Sequence, residues 1–416
     1  MAEVLPLNAL HYNLAAISAL GDVVAPPYDV IDADLRRELI SRSPFNVVEM
    51  DLPEPVGDGD RYMHAAETLE EWSLQDVLTQ DREPSIWALT QDYVGPDGEA
   101  RTRRGVLVRV RVTEYGPGQV RPHERTQPGP KEDRLRLTQA TRYNLSPIFS
   151  LHAGDAWQHV DAATAADPWG EATDADGTVH RTWRITDPSV HAAVTAELAD
   201  AELLIADGHH RYETARTYAE EIGGDGPHRY TLMCLVSLDD PGLTVFATHR
   251  LLKDLDSTKR EALRAGLRER FEVEPVAADA LDPSAEDGVG VFGFADGEAG
   301  ETFRLRLRDA AALAASLPDR STAYRELDAA ILEQVVFGDI LGMTAEDVGA
   351  KRGLGYVKSV EEAMSSLDTG YDAAFILRPT PIAQVRAVAD AGETMPPKST
   401  YFFPKLLTGL VFNPLS

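Results

Sequence analysis

Helical and strand-like segments alternate irregularly along this chain, and that order constrains its fold more than any other feature. Residues 60–78 carry apolar side chains at close to helical spacing, which predicts an amphipathic helix. Residues 85–93 and 104–112 are strand-like runs on either side of a Gly-Pro-Asp-Gly turn, which predicts a hairpin. A further strand is expected at 45–51. Helices and hairpins mixed in this way indicate an α+β (mixed α/β) fold and not a regular doubly wound sheet.

The length of 416 residues predicts about two or three structural lobes. We place an N-terminal α+β lobe at 1–150, which contains the Ala-Pro-Pro-Tyr-Asp and His-Glu-Arg-Thr segments. A core at 151–250 surrounds an Asp-Gly-His-His-Arg turn. A C-terminal α+β lobe at 251–416 ends in a segment that contains Met-Pro-Pro-Lys-Ser-Thr.

The composition narrows the range of partners. The chain has 40 Lys and Arg against 68 Asp and Glu, a formal net charge of −28, which argues against a nucleic-acid partner. A single cysteine, Cys234, excludes an internal disulfide and a multi-thiolate metal site. We see no signal peptide and no run of about 18 apolar residues, so we expect a cytoplasmic protein without a membrane partner. The oligomeric state stays open.

The strongest candidate site is the turn Asp-Gly-His-His-Arg, which directly follows an apolar strand and opens a helix. Asp207 is a favoured N-cap residue type, and Gly208 permits an unusual φ. The first turn of such a helix presents backbone N–H groups that suit a phosphate. His209, His210 and Arg211 add donors and acid/base groups. The alternative interpretation is a capped helix with exposed polar residues in its first turn.

A stiff, proline-rich connection holds the second candidate. Glu124 could act as a base or a magnesium ligand, and the cations around it could bind anions. The alternative is a solvated loop that leads into a helix. The other candidate binding residues of this segment are His123, Arg125, Thr126, Lys131 and Arg134.

The apolar C-terminal tail holds the third candidate. Lys398, Ser399 and Thr400 combine one cation with two hydroxyls, which could hold a phosphate or a carboxylate. A second lysine, Lys405, follows in Phe-Pro-Lys. The alternative is a C-terminal strand with capping residues.

A double proline before Tyr28 and Asp29 marks the fourth candidate. The prolines fix a turn, and that turn could place both side chains in a pocket. A purely structural turn near a strand is an equal alternative.

Several motif matches carry no function. Residues 288–293 fit Gly-x-Gly-x-x-Gly, but a turn and no helix is expected after them, which argues against dinucleotide binding. The chain has no Walker, His-Glu-x-x-His or Gly-x-Ser-x-Gly motif. His209 and His210 are adjacent and point in different directions on a helix, which argues against a shared zinc ion.

The four candidate segments together resemble a widespread bacterial and archaeal family catalogued as domain of unknown function 1015. The likeness covers almost the whole chain and rests on several motifs in the same order. Asn144 lies in one of them and is a candidate binding residue. The matching segments are 25–31, 46–53, 122–126, 131–135, 140–149, 205–215 and 395–412.

The turn also resembles, more distantly, the motif of the ParB/sulfiredoxin superfamily, in which a short turn opens a helix that holds nucleotide phosphates. Gly208, His209, His210, Arg211 and Ala215 occupy the matching positions. The resemblance implies a ParB/sulfiredoxin-like nucleotide-binding core with additional mixed-sheet lobes. The missing cysteine at the turn excludes sulfiredoxin chemistry, and the acidity argues against the DNA-binding ParB proteins.

The remaining branch, the free-serine kinases, is similar in its Asp-Gly-His-x-Arg type turn. This likeness implies a small-molecule kinase that transfers a phosphoryl group from ATP or ADP, with Mg²⁺, to a hydroxyl substrate such as L-serine. The turn from Gly208 to Arg211 would then hold phosphates. Glu124 or Asp207 would accept the hydroxyl proton or help to hold Mg²⁺. Either histidine would donate to phosphate or act as the base, and the charge-neutralising residues would be Lys131, Arg134 and Lys398.

Two rival functions stay open. The protein could be a nucleotide- or metabolite-binding regulator, in which case Glu124 is structural. It could also be a metal-dependent hydrolase that uses Asp207, His209 and His210. We expect one pocket to gather four segments, namely 25–31, 121–146, 205–215 and 395–405.

Overall fold

The computed structural model describes residues 3–95, 98–124, 126, 128–283 and 288–416. The chain forms two compact units. The first comprises Met1–Pro122, Thr126–Thr244 and Pro404–Ser416, and the second comprises His123–Arg125 and Val245–Phe403. Both units mix helices and sheets, which confirms the predicted α+β (mixed α/β) class.

The first unit is built on a nine-stranded mixed sheet. Its strands come from both 1–150 and 151–250, so the boundary of this unit differs from the lobe boundary drawn on the sequence. The strands of the unit are β1 (Val4–Leu5), β2 (Leu10–Tyr12), β3 (Leu78–Gln80), β4 (Ile86–Val94), β5 (Ala100–Arg111), β6 (Val120–Arg121), β7 (Tyr143–Asn144), β8 (Ile148–His152), β9 (Gly170–Thr173), β10 (Val179–Ile185), β11 (Leu203–Asp207) and β12 (Tyr230–Ser237).

The order across the large sheet is β6-β11-β8-β12-β5-β4-β10-β9, and β1 pairs with β5. The predicted hairpin is confirmed as β4 and β5, and Trp87 lies opposite Leu107 in its register. Apolar residues alternate into one core from β4, β5 and β12, as expected for strands half-covered by other elements. The helices of this unit are α1 (Leu20–Val23), α2 (Ala33–Arg42), α3 (Val48–Asp51), α4 (Arg61–Leu74), α5 (Pro128–Thr141), α6 (Pro188–Glu197) and α7 (His209–Ile222).

The strand predicted at 45–51 was wrong, because Val48–Asp51 forms the short helix α3. The buried side chain of Asn46 explains the difference. Its Oδ1 accepts a hydrogen bond from Val48 N at 3.0 Å, and its Nδ2 donates to Val24 O at 3.1 Å. Asparagine side chains that bond to nearby backbone compete with strand ladders and favour turns.

The second unit has a six-stranded sheet of its own, with the order β15-β17-β16-β19-β14-β18. Its strands are β13 (Thr244–Phe246, which starts at the last residue of the first unit), β14 (His249–Leu252), β15 (Phe271–Pro275), β16 (Val291–Asp296), β17 (Glu301–Leu307), β18 (Leu354–Val357), β19 (Ala373–Ile376) and β20 (Tyr401–Phe403). The chain then returns to the first unit in β21 (Asn413–Pro414). The residues after the glycine-rich match at 288–293 form strand and turn, as predicted.

The helices of the second unit pack around this sheet. A π-helix, Leu332–Ile340, continues α11 and contributes Leu332, Val335, Val336 and Phe337 to the core. The helices are α8 (Ser257–Arg270), α9 (Ala310–Ser316), α10 (Thr322–Arg325), α11 (Asp328–Ile331), α12 (Ala345–Gly349), α13 (Val360–Asp368) and α14 (Ile382–Asp390).

Candidate functional site in the first unit

The strand β11 passes into helix α7 through a single glycine. Gly208 has φ 97°, a left-handed conformation that costs an L-residue about 1–2 kcal/mol. A Cβ at this position would also lie 2.9 Å from Arg211 Nε, because the guanidinium folds back over Gly208. Glycine is therefore required here for its backbone conformation and for its lack of a side chain.

Replacing Gly208 with alanine should lower the free energy of unfolding by about 1–2 kcal/mol through φ alone, and further through the displacement of Arg211. Urea unfolding measures the loss. The control is Gly177→Ala in a turn of the same unit, where φ is 80° and nothing lies within 4 Å of the added Cβ. Equal losses in the two variants would contradict the close approach of Arg211.

The guanidinium of Arg211 is held by three partners in the first unit. Its Nη1 donates to Ser146 Oγ at 2.7 Å and to Pro147 O, and its Nη2 donates to Asp207 Oδ2 at 2.8 Å. Ser146 and Pro147 lie just before β8, which runs antiparallel to β11 and so brings its start to the end of that strand. The side chain is 11% exposed. Arg211 is thus fixed in position by protein groups.

Asp207 is not the N-cap of α7, so that prediction was wrong; Gly208 takes the cap position instead. Its carboxylate bonds with two cations, since Oδ2 accepts from Arg211 and Oδ1 lies 2.9 Å from Lys405 Nζ. Burial raises the pKa of Asp207, but Lys405 and Arg211 outweigh burial and hold it well below its usual range. Asp207 therefore stays ionised and is a poor proton acceptor.

A buried row of polar side chains positions Lys405. Gln91 lies between His180 and Arg103 on neighbouring strands of the sheet. Its Nε2 donates to Lys405 O at 2.9 Å, and its Oε1 accepts from Arg103 Nε at 2.9 Å. Arg103 Nη2 donates to Pro404 O at 2.5 Å. Two consecutive carbonyls of the C-terminal tail are thus fixed beside the end of β11.

A polar cavity of about 40 Å³ lies in the first unit beside α7. Two arginines line it, and Arg134 stacks over the ring of Tyr28 at 4.3 Å. Burial raises the pKa of Tyr28 to about 12, although Arg211 and Arg134 oppose this. The lining residues are Tyr28, Asp51, Arg134, Leu137, Thr138, Tyr143, Asn144, Leu145, Ser146, Arg211, Thr214 and Thr231.

Arg134 is buried at 5% exposure and carries two carboxylate partners. Its Nη1 lies 3.0 Å from Asp51 Oδ1, and its Nη2 lies 2.6 Å from Asp133 Oδ2. These two ion pairs raise the pKa of Arg134 in spite of burial, which acts in the opposite direction. Asp51, at the end of α3, was not among the residues predicted from the sequence. Its only sequence signal was its place in the matching segment 46–53.

The structure thus brings Tyr28, Arg134, Asn144 and Arg211 to one cavity, as predicted for three of the four segments. Other residues of this unit that were predicted from the sequence have contacts or positions of their own. Lys131 pairs with Glu213 on α7 at 2.8 Å. Asn144 Oδ1 accepts from Leu232 N and from Asn413 Nδ2, which gives it a structural role as well. Asp29 is exposed, His209 is buried, and Thr126 and His210 are half-buried.

The remaining predicted residues lie in the second unit. His123 Nε2 lies 2.8 Å from Thr400 Oγ1, and Glu124 forms an isolated parallel bridge with Met395. Lys398 is exposed and has φ 59°. Ser399 Oγ donates to the backbone at 2.7 Å. Arg125 lies outside the described residues, and the convergence of all four segments stays a prediction.

Asp207 does not fit a magnesium ligand in this arrangement, because each of its oxygens already bonds to a cation. Among the residues that the structure describes, no group of three or more His, Cys, Asp or Glu could hold a metal ion. No helix in the described ranges combines the length and the apolar composition that a membrane crossing requires.

Comparison with known proteins places the chain in a family. A family model described as "Protein of unknown function (DUF1015)" matches residues 4–330. The chain belongs to this family, as its motifs predicted. No curated protein matches it.

The similar solved structures include free serine kinase, the branch that the turn resembles. Its complex with AMP is 15% identical, with 68% of this chain and 83% of that chain covered, at a TM-score of 0.35. A variant of that kinase in complex with ADP is 14% identical, with 68% of this chain and 83% of that chain covered, at a TM-score of 0.35. A conserved hypothetical protein from Pyrococcus furiosus is 17% identical, with 69% of this chain and 88% of that chain covered, at a TM-score of 0.35. Likeness at this level does not define an activity, which must follow from the residues of this chain.

Proposed function

We propose that the protein is a small-molecule kinase that transfers a phosphoryl group from ATP or ADP to a hydroxyl substrate, with free L-serine as the first candidate. One observation carries the proposal: protein partners hold Arg211 in a fixed orientation in the first turn of the 14-residue helix α7. A second guanidinium, Arg134, lines the same cavity.

This arrangement suits phosphoryl transfer, which depends on positioning and charge neutralisation more than on covalent chemistry. An arginine fork binds phosphate oxygens in a planar, directional way. The N-terminus of α7 adds the positive end of the helix dipole beside it. Donors that are already oriented need little reorganisation when charge develops in the transition state.

The residues of the first unit then fall into two groups, those that would bind phosphate and those that position them through ion pairs. Arg211 would bind the transferring phosphoryl group, with Arg134 neutralising charge across the cavity. Asp207 and Lys405 act as positioning residues, because Asp207 bonds to Arg211 and Lys405 bonds to Asp207. His209 and His210 stay candidate donors to phosphate.

Three predicted residues keep roles that variants can test. Lys131 and Lys398 are proposed to neutralise phosphate, and Glu124 is a candidate base. Glu124→Gln keeps the shape of the side chain and removes its ability to accept a proton. We propose Mg²⁺ as the metal that accompanies the nucleotide, and we derive no step through it because Asp207 does not fit as its ligand.

A non-catalytic nucleotide-binding regulator is the second candidate function. The ion pairs of Asp207 favour the regulator to a limited extent. This carboxylate bonds to both Arg211 and Lys405 and is therefore a poor base. The regulator and the kinase differ in whether nucleotide is consumed.

Phosphorus NMR decides between them. Purified protein with Mg²⁺ and L-serine is incubated with ATP in one tube and ADP in another, each beside a tube without serine. The kinase proposal expects a phosphomonoester resonance only where serine is present. Bound but unchanged nucleotide in every tube would overturn serine as the substrate and favour the regulator. Nucleotide hydrolysis without a phosphomonoester would overturn both.

A further inference from the structure

A second buried aspartate lies in the polar cavity and differs from Asp207 in its pairing. Asp51 is 3% exposed and lines the cavity beside Arg211. Its Oδ1 is bound by Arg134 Nη1 at 3.0 Å. Its Oδ2 has no hydrogen-bond partner in any of the described ranges of the chain. One oxygen of this carboxylate therefore holds the residue in place, and the other is a buried acceptor without a partner.

Buried acceptors in proteins are normally satisfied, and an unsatisfied one is destabilising by about 1–3 kcal/mol. An occupant of the cavity that donates a hydrogen bond would remove that cost. The wall of the cavity, lined by hydroxyls and two arginines, suits a polar occupant. An alcohol O–H is small, donates one hydrogen bond and brings no further charge.

We propose that Asp51 is the catalytic base that accepts the proton of the substrate hydroxyl. This inference rests on the proposed kinase function and adds the residue that activates the acceptor. The hydroxyl proton passes to Asp51 Oδ2 as the substrate oxygen forms a bond to the terminal phosphorus of the nucleotide. The bond from that phosphorus to the bridging oxygen breaks, and the shortened nucleotide leaves with the electron pair. Protonated Asp51 then releases its proton to solvent.

The surroundings of Asp51 support this role over Asp207. Burial raises the pKa of Asp51, and the opposing effect of Arg134 and Arg211 does not cancel it. A carboxylate with a raised pKa accepts a proton more readily at neutral pH. Asp207 has its pKa lowered by two bonded cations. The charged or titratable groups that face Asp51 are Arg134 and Asp133 on α5, Arg211 on α7, and Tyr28 and Asp29 in the 28–30 turn.

The test is Asp51→Asn, which keeps the shape of the side chain and removes its proton affinity. We expect kcat to fall by about 10²-fold or more, with the KM for nucleotide little changed. The matched control is Asp133→Asn, which removes the other carboxylate partner of Arg134 but does not line the cavity. The control should keep most of its kcat.

The pH profile separates a base from a structural carboxylate. In the wild type, kcat should fall on the acid side, above the range in which an ordinary aspartate titrates, because the base must be deprotonated. The residual rate of Asp51→Asn should lack this acid limb. If Asp51→Asn does not fold, as judged by circular dichroism, Asp51→Glu replaces it and should lower kcat while the limb remains.

The outcomes distinguish the two proposals. A wild type that forms no phosphomonoester with any hydroxyl substrate overturns the kinase function and the role of Asp51 with it. A wild type that turns over while Asp51→Asn keeps its kcat and its acid limb overturns only the role of Asp51, and Glu124 is then the candidate base. Equal losses in Asp51→Asn and Asp133→Asn also overturn that role, because they would trace the effect to the ion pair with Arg134.

Discussion

Replacing Arg211 with alanine is expected to lower turnover by about 10²–10³-fold, the usual effect of removing one oriented donor from a developing negative charge. The side chain is held by Ser146, Pro147 and Asp207, so its position requires little reorganisation. Phosphorus NMR measures the rate of phosphomonoester formation. Nucleotide affinity, measured by calorimetry, should weaken much less than turnover.

Two further variants make this result specific. Arg211→Lys keeps the charge but cannot reproduce three directional bonds, so it should recover little activity. Arg216→Ala is the matched control on the same helix, where the guanidinium pairs with exposed Glu114 and stacks on Tyr115. That control should keep near wild-type turnover. A folded Arg211→Ala protein with full turnover would refute a catalytic role for Arg211.

Replacing Asp207 with asparagine is expected to lower the free energy of unfolding by about 3 kcal/mol. The change leaves Lys405 and Arg211 beside a neutral group, and breaking a buried ion pair from one side is strongly destabilising. Urea or thermal unfolding measures the loss. Glu114→Gln breaks the exposed pair with Arg216 and should cost less than about 1 kcal/mol.

The same prediction has a defined pH dependence. The folded pKa of Asp207 lies below its unfolded value, so the stabilisation is complete above the unfolded pKa, which is about 3.9 for aspartate. It is lost as the pH falls below that value towards the lowered folded pKa. The difference in stability between wild type and Asp207→Asn should therefore shrink on acidification. A difference that is unchanged down to strongly acidic pH would contradict the ion-pair account.

Local sequence was sufficient to predict the strand, the turn and the helix around the site. An apolar run followed by Asp-Gly and an amphipathic segment defines β11 and α7, because each depends on residues close in the chain. The hairpin of β4 and β5 was predicted for the same reason. The strand predicted at 45–51 failed because the contacts of Asn46 with the backbone of residues 22 and 24 are not visible in a local pattern.

The candidate site was predicted only in part. The motifs predict Arg211 and Arg134, whereas in the C-terminal tail they point to Lys398 and not to Lys405. Lys405 reaches Asp207 across 198 residues of sequence, through carbonyls held by Gln91 and Arg103. No spacing rule connects residues so far apart.

Asp51 and Asp207 show most clearly what the local sequence cannot predict about the site. Both are aspartates next to a structured turn or helix end, and the residue type alone assigns them the same chemistry. Their proton affinities diverge because burial dominates at Asp51, while Lys405 and Arg211 dominate at Asp207. The amino-acid order sets which groups exist and which local elements they join. Desolvation and distant counter-charges, which the packed chain alone defines, decide which carboxylate can accept a proton.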